Sequence, residues 1–381
     1  MRHGLPHKPK ILLLAKCIPQ VYIALALLPL LGRRFPQAQI SILSSTQHFP
    51  HFQAMVDAGL GQLSLRLIND WPAPESSTEF TLVIYLGHSY FLDGDLLAKL
   101  VTVSCPIVWL NAHFESADLL RWRRHGPDIA SIFQLIFYED RQDEESLLAS
   151  GFAKPSLHFV GSAKYDCASA STAQIAQARQ NLVCVTGASD NARVMVAASI
   201  AEVQEMALLV EAFKTLSARH PQLVLVLAPR SLAQMAEFTA WLAQQPLRFC
   251  RSSACQPSTI LLLDEVGVLK GYYHCADVAI IGRSFYASSG GGSNLLEPAA
   301  AGLPIICGPF MAAFQSIMSD FLQQEALLQL SEPEQLAQCL LNLFDDDAGA
   351  AEYGRRAKAL VMQGEGVLQR CVDYLAELSQ A

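Results

Sequence analysis

No Asp or Glu occurs before Asp57, although Arg2, Lys8, Lys10, Lys16, Arg33 and Arg34 all precede it. The first segment is therefore basic and holds no carboxylate for acid or base chemistry. Cysteine lacks pattern rather than number: the ten cysteines form no CxxC, no Cys/His zinc spacing and no cluster, the nearest pair being Cys250 and Cys255. Residues such as Cys105, Cys184 and Cys307 read as buried, reduced thiols, which points to a cytoplasmic protein, and no metal site is expected. A basic surplus is also missing. The formal net charge of -8 argues against a general nucleic-acid binder. The longest apolar stretch, Ile11 to Gly32, is interrupted by Lys16, Pro19, Gln20 and Pro29. It reads as a buried strand, Ile11 to Ala15, followed by a helix, Val21 to Leu31, rather than as a signal or a membrane span. There is no internal repeat and no low-complexity tract.

What is present is an apolar α/β chain. Of 381 residues 51% are hydrophobic and 16% charged, which suits two domains with ordinary cores. Strand-like runs at Lys10 to Ala15, Ile40 to Ser44, Leu63 to Ile68, Leu82 to Leu86, Ile107 to Leu110, Leu135 to Phe137 and Leu157 to Val160 alternate with helical segments such as His51 to Ala58, Asp95 to Val101 and Glu144 to Ser150. A small polar run, Cys167 to Thr172, then marks a change. A second alternation follows: Leu182 to Thr186, Val194 to Ala198, Val224 to Leu227, Leu247 to Cys250, Ile260 to Leu262, Val278 to Ile281 and Pro304 to Cys307. The tail from Pro333 to Leu378 is amphipathic helix. This predicts two doubly wound, Rossmann-like domains facing across a cleft, the GT-B architecture: residues 1–166, a linker over 167–175, and residues 176–381 with the C-terminal helices.

The segment Ala276 to Ser284, then Gly290-Gly291-Gly292-Ser293-Asn294, then Leu295 to Pro309 reads as strand, glycine loop, short helix, strand. Such a loop presents free backbone N–H groups to an anion. Glu297, one turn into the helix, can accept hydrogen bonds from sugar hydroxyls. A phosphate grip beside a hydroxyl grip suggests a nucleotide-sugar donor.

The same residues resemble the 3-deoxy-D-manno-octulosonic acid (Kdo) transferases, which move Kdo from CMP-Kdo to lipid A precursors at the bacterial inner membrane. That family's G-G-H-N-P-L-E-P, A-x-G-x-P and G-P look like Gly291 to Pro298, Ala301 to Pro304 and Gly308-Pro309, with Ser293 in place of the histidine and Leu295 in place of the first proline. Leu110-Asn111-Ala112-His113 resembles L-N-A-R, and the Arg121-Trp122-Arg123-Arg124 segment follows it. Gly161 to Asp166 is similar to G-N-L-K-F-D. Ala197-Ala198-Ser199 with Glu202 and Glu205 resembles A-A-S-T-H-E-G-E-E, and Leu227 to Arg230 matches L-x-P-R. The resemblance runs from about Asn111 to Tyr374.

It implies a donor site made of Arg230, which grips phosphate or the Kdo carboxylate, with Gly291, Gly292, Ser293, Asn294 and Glu297, joined by Ser199 and Lys164. Read blandly, Arg230 is a surface ion pair, Ser199 and Ser293 are caps, and Lys164 braces the junction. Arg121, Trp122, Arg123 and Arg124 suit anionic headgroups or an acceptor's phosphates, giving a peripheral contact with the cytoplasmic face of the inner membrane. A CMP-sugar is the donor substrate and no cofactor is expected.

The family's base is a Glu in S-V-G-E after the first strand, and here Gln20 occupies that position. The acceptor segment E-T-E-L-W is likewise unmatched near Gly87 to Phe91. His88, His113 or a later carboxylate are then the candidate bases. Three readings follow: an inverting transferase acting on a lipid A-like or other envelope glycan, a nucleotide-binding paralogue with little activity, or a GT-B enzyme using another nucleotide sugar.

Overall fold

In the computed structural model, residues 8–45, 52, 62–67, 80–89, 92–113, 129–187 and 192–378 are described. The chain divides into two units, Met1–Cys167 with Gly364–Ala381, and Ala168–Gln363.

The first unit carries seven parallel strands: β1 (Lys10–Leu14), β2 (Gln39–Ser44), β3 (Gln62–Leu67), β4 (Leu82–His88), β5 (Ile107–His113), β6 (Leu135–Tyr138) and β7 (Leu157–Phe159), in the order β3-β2-β1-β4-β5-β6-β7. Successive residues of β1 go to opposite faces. Ile11 and Leu13 join one apolar cluster and Leu12 and Leu14 the other, which is why the strand reads as unbroken apolar sequence rather than as alternation. The helix Ile18–Arg34 covers the first face through Val21, Ala24, Leu27, Leu28 and Leu31, with Pro19 tolerated in its first turn. The apolar stretch from Ile11 is thus a strand and a helix. Among the described residues no helix is long and apolar enough to cross a membrane.

The second unit repeats the plan with β8 (Arg193–Ile200), β9 (Leu223–Pro229), β10 (Phe249–Arg251), β11 (Ile260–Leu262), β12 (Val278–Ile281), β13 (Ile305–Cys307) and β14 (Leu328–Gln329), ordered β10-β11-β9-β8-β12-β13-β14 and again all parallel. In each sheet the strand order reverses beside its first strand, between β1 and β4 and between β8 and β12. Loops at the carboxyl ends there are where ligands of such sheets bind.

The structure corrects three expectations from sequence. The apolar run Leu182 to Thr186 is not a strand. It is the last turn and more of the helix Thr172–Thr186, opened by a Ser171/Gln174 capping box and closed by Gly187. Its buried positions, Ala178, Asn181, Leu182 and Val185, follow helical spacing, while Val183 is exposed. The same helix takes up the later part of the span read as linker. Last, the C-terminal helix Val367–Leu378 belongs to the first unit, not the second. Asp166 accepts the backbone N–H groups of Gly366 and Leu368 at 2.5 and 2.6 Å, Arg370 donates to the Val160 carbonyl at 2.8 Å, and Val367, Leu368, Cys371, Val372 and Leu375 pack with the helix Ile18–Arg34. Burying each of those aliphatic side chains is worth about 1.5–3 kcal/mol. The predicted helix His51 to Ala58 and the Arg121-Trp122-Arg123-Arg124 segment lie outside the described residues.

Candidate donor and acceptor sites

In the second unit, the carboxyl ends of β9, β8 and β12 deliver Arg230, Ser199 and Arg283 to one edge of the sheet. Ser199 sits at a break in the β8/β9 register with φ of 61°, a bulge that lifts it out of the pleat, and its hydroxyl has no partner among the described residues. The Arg230 backbone N–H is held by the Ile200 carbonyl at 2.8 Å, while its guanidinium has no carboxylate among the described residues. Partial shielding from solvent and then the Arg283 charge lower the Arg230 pKa, although a guanidinium stays charged. Two like charges near each other without a counterion form a place for an anion.

Arg283 also builds the glycine loop. Its Nε donates to the Ser289 carbonyl and its guanidinium to the Gly290 carbonyl, both at 2.9 Å, and its own carbonyl accepts the Gly292 N–H at 2.6 Å. Gly290 has φ of 98°, and a Cβ there would run into the Arg283 guanidinium, so only glycine fits. Glu205 fixes the base of the loop. Its buried carboxylate accepts the Ala201 N–H at 3.2 Å and is faced by the backbone N–H groups of Arg283, Ser284 and Phe285. Burial raises its pKa against those donors, and Oε1 makes no hydrogen bond of ordinary length.

Sequence reading gave Ser293 and Asn294 a joint capping role, and the structure divides it. Asn294 Oδ1 accepts the Leu296 N–H at 3.1 Å at the start of the helix Leu296–Ala301. Ser293 is 7% exposed and donates to the Gly282 carbonyl, so it fastens the loop from inside. Glu297 is nearly buried with Lys270, their charged atoms 3.9 Å apart. Burial raises the Glu297 pKa, opposed by Lys270 and by a hydrogen bond from Asn294. A carboxylate held this way is poised to accept hydroxyl donors. Arg283 and Lys270 were missed by sequence reading. Arg283 follows its strand as Arg230 does, which is the signal that could have found it.

In the first unit, the carboxyl ends of β4 to β7 gather the other candidates. The β4/β5 register shifts after Leu86, Asn111 takes φ of 57°, and His88 comes opposite His113 with ring centroids 4.8 Å apart. Bulges re-aim side chains in this way. His113 Nδ1 lies 3.1 Å from Asp143 Oδ2 and 3.7 Å from Glu139 Oε1. The hydrogen bond to Asp143 raises the His113 pKa against burial, with the Glu139 and Asp143 charges adding to the rise and Lys164 opposing it. Glu139 is the hub. It accepts Asn111 Nδ2 at 2.8 Å, the Ser162 hydroxyl at 2.7 Å and Lys164 Nζ at 3.1 Å. Burial would raise its pKa, but Lys164, His113 and the Ser162 bond outweigh that and hold it below the usual carboxylate range. Lys164, assigned to the donor from sequence, therefore already has a carboxylate partner in the first unit.

Gln20 is 1% exposed. Its Oε1 accepts the Lys16 N–H at 2.5 Å, tying the helix Ile18–Arg34 back to the second residue past the end of β1, and its Nε2 is buried without a partner among the described residues. Gly87, with φ of 89°, lets the amide pack against the β4 backbone, and Trp109 Nε1 locks the Gly87 carbonyl at 2.6 Å. Gln20 thus has a structural use, holding the turn between β1 and the helix Ile18–Arg34. Among the described residues, no group of three or more His, Cys, Asp and Glu side chains could hold a metal ion.

No family model matches the chain. It is 31% identical over 295 residues to the 3-deoxy-D-manno-octulosonic acid transferase of Bordetella pertussis, and 24% identical over 289 residues to that of Haemophilus influenzae, each alignment covering 74% of this chain. The chain spans 66% of the length of each of those relatives. A fold likeness extends to the UDP-GlcNAc 2-epimerase of Neisseria meningitidis bound to UDP-GlcNAc, with a TM-score of 0.60 at 12% identity, over 97% of this chain and 99% of that one. The two parallel sheets are the GT-B fold. The chain is thus similar to the Kdo transferases, over the motifs at Gly291 to Pro309 and Leu227 to Arg230 among other stretches.

Proposed function

We propose that this chain is a glycosyltransferase that takes a Kdo-type sugar from a CMP-activated donor and transfers it, with inversion, to a lipid A-like or other envelope glycan. The observation that carries the reading is the pair Arg230 and Arg283 at the carboxyl edge of the second sheet, two guanidinium groups with no carboxylate partner among the described residues. They suit the phosphate of the nucleotide, with Glu297 on the helix after the glycine loop for the ribose hydroxyls and Ser199 as a further donor. No cofactor takes part in this scheme. The basic Arg121 to Arg124 segment would meet the acceptor or the membrane surface.

Thermal shift with CMP, UDP and ADP tests the donor. CMP should raise Tm more than the others, and Arg230→Ala or Arg283→Ala should each weaken CMP binding by roughly 10- to 150-fold, the worth of a charged hydrogen bond of about 1.5–3 kcal/mol. A response to UDP alone would replace the CMP donor with another nucleotide sugar. A second reading, a nucleotide-binding paralogue without turnover, is favoured by one observation, the structural use of Gln20. CMP binding without CMP release from CMP-Kdo in the presence of a lipid A precursor would establish it.

A further inference from the structure

The first unit holds a titratable group whose geometry suits acid–base chemistry. His113 is 34% exposed at the side chain, its hydrogen bond runs through Nδ1 to Asp143, and Nε2 has no partner among the described residues. The imidazole is turned and held by a carboxylate, with its second nitrogen left over. Two devices put it there: the register shift between β4 and β5, and Asn111 at positive φ, whose side chain bonds both Glu139 and the Ala163 N–H. The positive-φ residue stands two positions before the histidine, and the register shift brings His88 opposite it, at the end of the sheet where ligands of this fold bind. Gln20 cannot take a proton, and the chain has no acid before Asp57.

We propose that His113 is the general base of the transfer, with Asp143 as its positioning residue. The proposal rests on the transferase reading above. The acceptor hydroxyl gives its proton to His113 Nε2 while its oxygen bonds the anomeric carbon of the donor sugar. The bond from that carbon to the CMP phosphate oxygen breaks, and CMP leaves with the electron pair. The imidazolium then returns its proton to water. Asp143 Oδ2 fixes the tautomer with the proton on Nδ1 and stabilises the cation that forms. The groups facing the ring are His88 from β4, Glu139 beyond β6, Asp143 on the helix Asp143–Ala149 and Lys164 beyond β7. With the imidazole neutral, Glu139, Asp143 and Lys164 leave one net negative charge, and protonation cancels it. This agrees with the raised His113 pKa.

The test uses the full chain with CMP-Kdo and a lipid A precursor, read as CMP release across pH, beside thermal shift with CMP. His113→Gln should lower kcat by about 10²- to 10⁴-fold with the KM for CMP-Kdo and the CMP thermal shift unchanged. Asp143→Asn should lower kcat less and move the rising limb of its pH profile to lower pH, because the ring loses the carboxylate that raises its pKa. A His113→Gln protein that turns over like the parent, or an Asp143→Asn profile superimposed on the parent's, overturns the base assignment and leaves the transferase reading intact. A parent protein that binds CMP but releases none from CMP-Kdo removes the transferase reading and this inference with it.

Discussion

The carboxyl edges of the two sheets share a plan and differ in charge. Each places a polar residue at positive φ at or near the end of a central strand, Asn111 on β5 and Ser199 on β8, where the register breaks. At the first edge every charge has a partner: Glu139 with Lys164, and His113 with Asp143. At the second, Arg230 and Arg283 have no carboxylate among the described residues, and Glu297 is drawn into the interior with Lys270. The first edge carries one net negative charge with the imidazole neutral, and a proton taken up at His113 cancels it. An uncompensated cationic edge needs an anion from outside. The functions proposed above assign the proton to the first edge and the phosphate to the second.

The sharpest way to break that contrast is to unbalance the first edge. Glu139→Gln should cost roughly 3–5 kcal/mol, the range for removing one partner of a buried pair, toward the lower end because Lys164 keeps access to solvent. Urea unfolding at neutral pH measures it. The parent should also lose stability in acid. Glu139 has a folded pKa below its ordinary value of about 4.3, so its contribution is present above that pH and disappears as pH falls through the lowered value. His113 has the opposite sign. Its raised pKa stabilises the fold below about pH 6.5 and that share is lost as pH rises through the folded value.

A smaller effect is expected at Gln20. Gln20→Glu should cost about 1–3 kcal/mol, because a carboxylate there is buried beside an unpaired position, with the loss shrinking as pH falls and the acid is neutralised. Such a variant should gain no CMP release over the parent, and a gain would return the catalytic base to this position. Smallest of all is the stability effect of Arg230→Ala, within about 0.5 kcal/mol of the parent by Tm, since that exposed side chain makes no ion pair or hydrogen bond among the described residues. A larger loss would make Arg230 structural and erase the difference between the two edges.

Much of the fold is legible in the sequence because parallel strands buried on both faces print unbroken apolar runs. The glycine loop is equally plain, since its glycines, Asn294 and Glu297 lie in one short stretch of sequence. What fails is what depends on partners far apart in sequence. Leu182 to Thr186 has the composition of a strand, and only the cap at Ser171 and the burial of every third or fourth residue make it helix. The His113 cluster draws on four separate segments, and its carboxylates, Glu139 and Asp143, stand in an ordinary acidic stretch. Arg283 escaped notice because its guanidinium works partly on its own loop, a role visible only in three dimensions.

The helix Val367–Leu378 has a consequence for synthesis. Because it completes the apolar layer over Ile11, Leu13 and the helix Ile18–Arg34, the whole of Ala168–Gln363 is in sequence an insertion within the first unit. The second unit can fold as its strands emerge, whereas the first must wait, with part of one face uncovered, until the helix Val367–Leu378 has been made. Contacts of such long sequence separation slow folding and lengthen the exposure of apolar surface. The half made first is thus the half finished last.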